Sequence, residues 1–168
     1  MRWDKSFEAS MAMNDATWKR HANPWSVYTR IPVLPLLAFA IWSRVWIGGL
    51  CLIPISLLAV WTFINPRIFP VPISTQNWAS KGTFGERVWL NRKMVPIPRH
   101  HEIWALGLAI ASGVALIPMI WGLWALDPWA AFVGAILASA LKVWFVDRMA
   151  WLYEDMKAKS PDYSSWLY

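Results

Sequence analysis

The apolar positions of this chain fall into four runs, separated by polar, proline-marked breaks. Ile31–Ser43 is uncharged and extends back to Pro24, where Asn23 reads as a helix cap and Pro24 as a first helical residue. Pro24 to Ser43 matches the length of about 20 residues that a bilayer crossing needs. Pro32 and Pro35 should kink or split it, so a full span and a re-entrant piece both stay open. Val45–Ile64 is a second uncharged run, with Gly48 and Gly49 leaving room for a tight turn and Asn65-Pro66 expected to stop the helix. Ile103–Leu126 is a third, with Pro118 inside, and Asp127-Pro128 repeats the cap-then-proline signal. The fourth helix should run on past the bilayer to about Met156.

Between the second and third runs lies a polar link, Asn65–Glu102, holding Pro66, Pro70, Pro72, Pro96 and Pro98. Thr83-Phe84-Gly85-Glu86 has capping-box spacing and predicts a short helix from about Phe84 to Lys93. Ahead of the first run, Trp3, Phe7, Met11 and Trp18 share one face of a helical stretch over 3–18, opposite Asp4, Lys5, Glu8, Asp15 and Lys19. That stripe suits a helix in the membrane interface or packed on the protein's own surface. The pattern is all-α: an integral membrane protein of about four transmembrane helices in two hairpins, with an N-terminal amphipathic helix and a polar link carrying a short helix. The chain divides as one membrane domain: an interfacial segment 1–22, a first hairpin 24–64, the link 65–102, a second hairpin 103–156 and a tail 157–168.

Charge gives the hairpins a direction. Arg2, Lys5, Lys19, Arg20 and Arg30 precede the first run. Arg67, Lys81, Arg87, Arg92, Lys93 and Arg99 sit in the link, and Lys142, Arg148, Lys157 and Lys159 come late. The first hairpin turn has only Arg44 and the second has none. The positive-inside rule puts both termini and the link in the cytoplasm, in an inner or plasma membrane. Fifteen tryptophans sharpen this. Trp42, Trp46, Trp121, Trp124 and Trp129 form an outer belt, and Trp25, Trp61, Trp104, Trp144 and Trp151 an inner one, as the interface favours. Gly107, Ala111 and Ala115, and Ala130, Gly134 and Ala138, make small-residue stripes that would let the second hairpin close tightly.

Chemistry is sparse. No acidic, basic or histidine residue occurs in Ile31–Ser43, Val45–Ile64 or Ile103–Leu126, which disfavours a small ion-coupled transporter. Lys142 lies roughly 21 Å along a helix crossing a slab of about 30 Å. It reads as a snorkelled inner anchor or as a buried contact with a backbone carbonyl, a lipid headgroup or a cofactor. His100, His101, Glu102, Asp147, Arg148, Glu154 and Asp155 form the densest polar cluster, at the inner end of the second hairpin. Matched depth predicts an ion pair between Glu102 and Arg148, with His101 level with Asp147. His101 and Asp147 are weak metal candidates, and a salt-bridged rim is the plainer alternative. No motif implies a cofactor. His21 reads as an interfacial residue. Cys51 is the only cysteine, a small hydrophobe in an apolar run that leaves no intrachain disulfide. The link's cations could meet anionic lipids, nucleic-acid motifs are absent, and no apolar stretch of a signal peptide opens the chain.

Asn23-Pro24-Trp25, Trp42-Ser43-Arg44-Val45-Trp46, Asn65-Pro66-Arg67, Asn77-Trp78-Ala79-Ser80-Lys81-Gly82, Gly85-Glu86-Arg87-Val88-Trp89 and Asp147-Arg148-Met149 with Trp151-Leu152-Tyr153-Glu154-Asp155-Met156 resemble a family of small prokaryotic multi-span membrane proteins known only as a domain of unknown function. The resemblance covers about residues 20–156. It implies a small membrane protein and carries no activity. Three functions follow as expectations: a non-catalytic accessory or assembly component of a membrane complex, with membrane proteins as partners; an enzyme working through the His/Asp/Glu cluster at the cytoplasmic headgroup level; and, disfavoured, a small transporter.

Overall fold

The computed structural model describes residues 14–168, which are helical with no strand among them. Trp3, Phe7 and Met11 of the expected surface helix lie outside the described residues. Its described end is α1, Asp15–His21, capped by Asn14. Trp18 on α1 is buried within the protein rather than facing the bilayer. α2, Pro24–Tyr28, starts at the Asn23 cap as expected, the Asn23 side chain accepting from Trp25 N.

Three helical stretches are long and apolar enough to cross a membrane: Pro24–Ile68, Arg99–Ala125 and Pro128–Lys159. The expected first and second spans are thus one stretch of 45 residues. Straight, it would be roughly 67 Å long. Instead its two ends touch: Ser26 Oγ donates to Asn65 Oδ1 at 2.8 Å, and Asn65 Nδ2 donates to Thr29 Oγ1 at 2.9 Å. The stretch therefore doubles back. It comprises α2, a turn through Pro32, α3 (Val33–Trp42), α4 (Arg44–Ile47), a 3₁₀ turn over Gly48–Cys51, and α5 (Leu52–Ile68). Pro32 splits the first arm, as its missing N–H requires. Gly48 turns the chain at φ 54°, a left-handed conformation that glycine adopts without strain. Asn65-Pro66 does not end the helix. α5 runs on to Ile68 with Pro66 inside, and the bonds of buried Asn65 hold that turn despite the lost N–H.

In the link the helix is longer and earlier than expected. α6 spans Trp78–Leu90, and its cap is Asn77, whose Oδ1 accepts from Ser80 N at 2.9 Å, not Thr83. α7 (Arg99–Val114) and α8 (Leu116–Ala125) replace a single third helix. They break at Ala115 because Pro118 has no N–H for the Val114 carbonyl and its ring crowds that oxygen. Leu126, left-handed at φ 59°, closes α8. α9 runs from Pro128 to Met156, capped by Asp127, as expected. Beyond it come a 3₁₀ turn, Lys157–Lys159, and α10, Pro161–Ser165.

Two cores hold these elements. Near the turns, Ala38, Met119, Leu123, Ala131 and Ala135 are buried together. A Cβ on Gly134 would meet Met119 N at 2.5 Å, and one on Gly122 would meet Ala131 N at 2.3 Å. The stripe Ala130, Gly134 and Ala138 therefore does face its partner. On α7, however, Gly107 has nothing within 4 Å, and the helix buries Ala105 and Leu108 instead. At the other end α6 lies on α9 so closely that a Cβ on Gly85 would come within 1.8 Å of Met149 O. Phe84, Val88, Met149, Leu152, Tyr153 and Tyr163 fill the second core. The tail, 157–168, is tied in, with Thr75 N donating to Tyr168 O at 2.8 Å and Tyr153 Oη donating to Tyr163 O at 2.9 Å.

Candidate functional site

Arg44 donates to Leu123 O, joining the turn of the first hairpin to the turn of the second. Both turns therefore lie at one end of the molecule, and the polar residues gather at the other. There the cluster expected at the inner end of the second hairpin divides among separate partners. His101 is buried, its Nε2 2.8 Å from Asp155 Oδ2, and His100 packs on it with ring centroids 4.1 Å apart. Asp147 Oδ1 accepts from Trp78 Nε1 at 2.8 Å rather than approaching His101. Glu154 meets Lys81 at 2.6 Å and Lys157 at 2.5 Å.

No ion pair joins Glu102 to Arg148 among the described residues. Glu102 faces Arg92 Nε at 3.6 Å, across from the link. The Arg148 guanidinium lies over the rings of Trp104 and Trp151, at 5.2 and 4.5 Å from their centroids. A shared depth along two helices fixes height but not azimuth, and Arg148 turns its charge to the aromatic belt. Ligand atoms of His100, His101 and Asp155 come within 4.8 Å of one another. The metal-competent trio thus keeps His101 and replaces Asp147 with Asp155 and His100.

A cavity of about 490 Å³ lies where α1, the first arm, α6 and α9 meet. Its apolar wall includes Val27, Leu34, Leu37, Leu116 and Val143, its ionisable groups are His21, Arg30, Glu86 and Lys142, and Thr62, Thr83, Ser112 and Ser139 add hydroxyls. Lys142 Nζ bonds Glu86 Oε1 at 3.0 Å and sits 4.2 Å from the Phe145 ring centre. Its partner is a carboxylate on the link helix, not a backbone carbonyl. His21 is buried, not interfacial. Arg30 Nη1 donates to His21 Nε2 at 3.2 Å, so the proton sits on Nδ1, which donates to Ser26 Oγ at 2.8 Å. Ser26 passes the chain to Asn65, Asn65 to Thr29, and Thr29 Oγ1 to Trp25 O at 2.6 Å. Every donor runs in one direction. Burial first, then the Arg30 charge, lower the His21 pKa to about 4. Burial works to raise Glu86, but Lys142 above all holds its carboxyl below the ordinary range.

The sequence reading missed this site except for Lys142. His21, Ser26, Arg30, Asn65 and Glu86 come from three separated segments, and only the reversal at Gly48 and the docking of α6 bring them together. Asn65 had one local signal, an amide beside Pro66 inside an apolar run, and it was spent on a helix stop.

Three helical stretches long and apolar enough to cross a membrane point to a helical membrane protein. A family model matches residues 3–166, Family of unknown function (DUF6653), and the chain belongs to that family. No match emerged among curated proteins or among solved structures.

Proposed function

We propose that this is a non-catalytic binding protein of the inner or plasma membrane. It crosses the bilayer four times as two hairpins, with both termini and the link cytoplasmic, and serves as an accessory component that holds a ligand between the hairpins. The observation that carries this reading is the cavity. Its walls are largely apolar, and its acid and base groups are engaged with neighbours: His21 is neutral between Arg30 and Ser26, and Glu86 is held by Lys142. Ser26 does stand beside His21, but the imidazole donates to that hydroxyl and its other nitrogen accepts from Arg30, so it is not placed to take the serine proton, whereas an apolar pocket with a few placed polar groups is the usual form of a binding site. The test is purification in mild detergent followed by native mass spectrometry. The expected result is a bound organic molecule near one per chain, lost on Ala138→Phe, which fills the wall. An empty protein contradicts the reading.

A second reading rests on His100, His101 and Asp155, whose ligand atoms lie within 4.8 Å of one another. Two imidazoles and a carboxylate with an open fourth position are the donor set of a zinc enzyme. Retention of stoichiometric zinc, abolished by His101→Ala, supports it, and zinc-free protein after zinc loading and desalting contradicts it.

A further inference from the structure

The polar floor of the cavity carries a formal charge of one excess cation: Arg30 and Lys142 against Glu86, with His21 neutral. Lys142 spends its charge on Glu86. Arg30 acts on Glu86 only from beyond ion-pair distance: its bond goes to a neutral imidazole, and among the described residues no carboxylate pairs with it directly. A guanidinium at the edge of an apolar cavity, with a single neutral partner, keeps most of its planar donor fork for an oxyanion, which it can grip at two points. The same cavity is lined by Leu34, Leu37 and Leu116. Its volume of about 490 Å³ lies in the lower part of the range for ligand pockets, roughly 300–1,000 Å³, and gives room for one chain rather than two.

We propose that the cavity binds a single-chain amphiphile with an acidic headgroup, a phosphate or a carboxylate. The oxyanion sits on Arg30 with Lys142 beside it, and the chain lies against Leu34, Leu37 and Leu116. This rests on the binding-protein reading above and names its ligand. Glu86 competes with the headgroup for Lys142, so it weakens the site while holding the lysine in place.

The full chain in phosphatidylcholine nanodiscs is doped with one of four probes of equal chain length: palmitate, hexadecyl phosphate, hexadecanol or hexadecyltrimethylammonium. Native mass spectrometry reads retention. Palmitate and hexadecyl phosphate are expected to be held, and the better held of the two identifies the headgroup. Arg30→Gln is expected to lower retention about tenfold or more, the cost of a hydrogen bond to a charged group. Arg30→Lys, which keeps the charge without the fork, should fall between, and Glu86→Gln should raise retention. Equal retention of the alcohol or the ammonium probe overturns the proposal, as does acid retention unchanged in both Arg30 variants. Retention seen only after deletion of residues 2–13 assigns the cavity to the chain's own N-terminal segment and also overturns it. If none of the four probes is held and Ala138→Phe changes nothing, the binding-protein reading fails with it.

Discussion

The two ends of this molecule are held together by different means. At the turn end, Ala38, Ala131 and Ala135 pack with Met119 and Leu123, and Gly122 and Gly134 let backbones touch. Polar bonds there are few, and Trp124 and Trp129 are each 80% exposed. At the polar end, large side chains such as Tyr153, Met149 and Leu152 are fully buried, and a directed chain of hydrogen bonds crosses from Arg30 to Trp25. On the proposed topology, the contrast follows from solvent. Helices surrounded by hydrocarbon gain little from burying leucine and gain more from close backbone approach. Where water is present, burying large apolar groups contributes in the ordinary way, and buried polar groups must be satisfied.

Four experiments can break or sharpen that comparison. Gly85→Ala puts a methyl group into the Met149 carbonyl, backbone against backbone, and should have the largest effect. A loss of about 3 kcal/mol is expected from such overpacking, read as early thermal unfolding with proteolysis of the link. Near-normal stability would mean that α6 is not docked as described.

Acid should act next, and only at the polar end. The folded-state pKa of His21, about 4, lies below the ordinary histidine value of 6.5, so the unfolded chain binds the extra proton between these values. Stability should therefore fall as pH drops through that window, by up to about 3 kcal/mol. Glu86, also lowered, loses its contribution in the same direction as it protonates. His21→Gln should flatten the upper part of the curve, while an unchanged curve would show that His21 is not buried neutral.

Asn65→Leu removes the amide that receives from Ser26 and donates to Thr29. About 1–3 kcal/mol should be lost, the usual cost of stranded buried polar groups. Smallest of all, Trp124→Ala at the exposed turn end should change unfolding by no more than about 0.5 kcal/mol. A larger loss there would erase the distinction between the ends.

Which features the sequence disclosed follows the same division. Helices, caps at Asn23 and Asp127, the split at Pro32 and the long final helix were legible because period, cap and proline are local signals. The glycine contacts of α9 were half legible. A small-residue stripe marks a face, but only packing decides whether Gly107 or Ala105 meets the neighbour. The site was nearly invisible. Glu102 finds Arg92 and Lys142 finds Glu86 through the placement of the link, whose helix was expected to start at Phe84 and instead begins at Trp78. Pairings that span three segments leave no trace in any one of them.

The central claim is that the two ends face opposite sides of one membrane, and cysteine accessibility tests it most directly. In a Cys51→Ala background, Leu126→Cys marks the turn end and Ile73→Cys the polar end, both positions being exposed. An impermeant maleimide applied to intact cells should label the cysteine at 126 and reach the one at 73 only after lysis. Labelling of both in intact cells, or of 73 alone, would contradict the account.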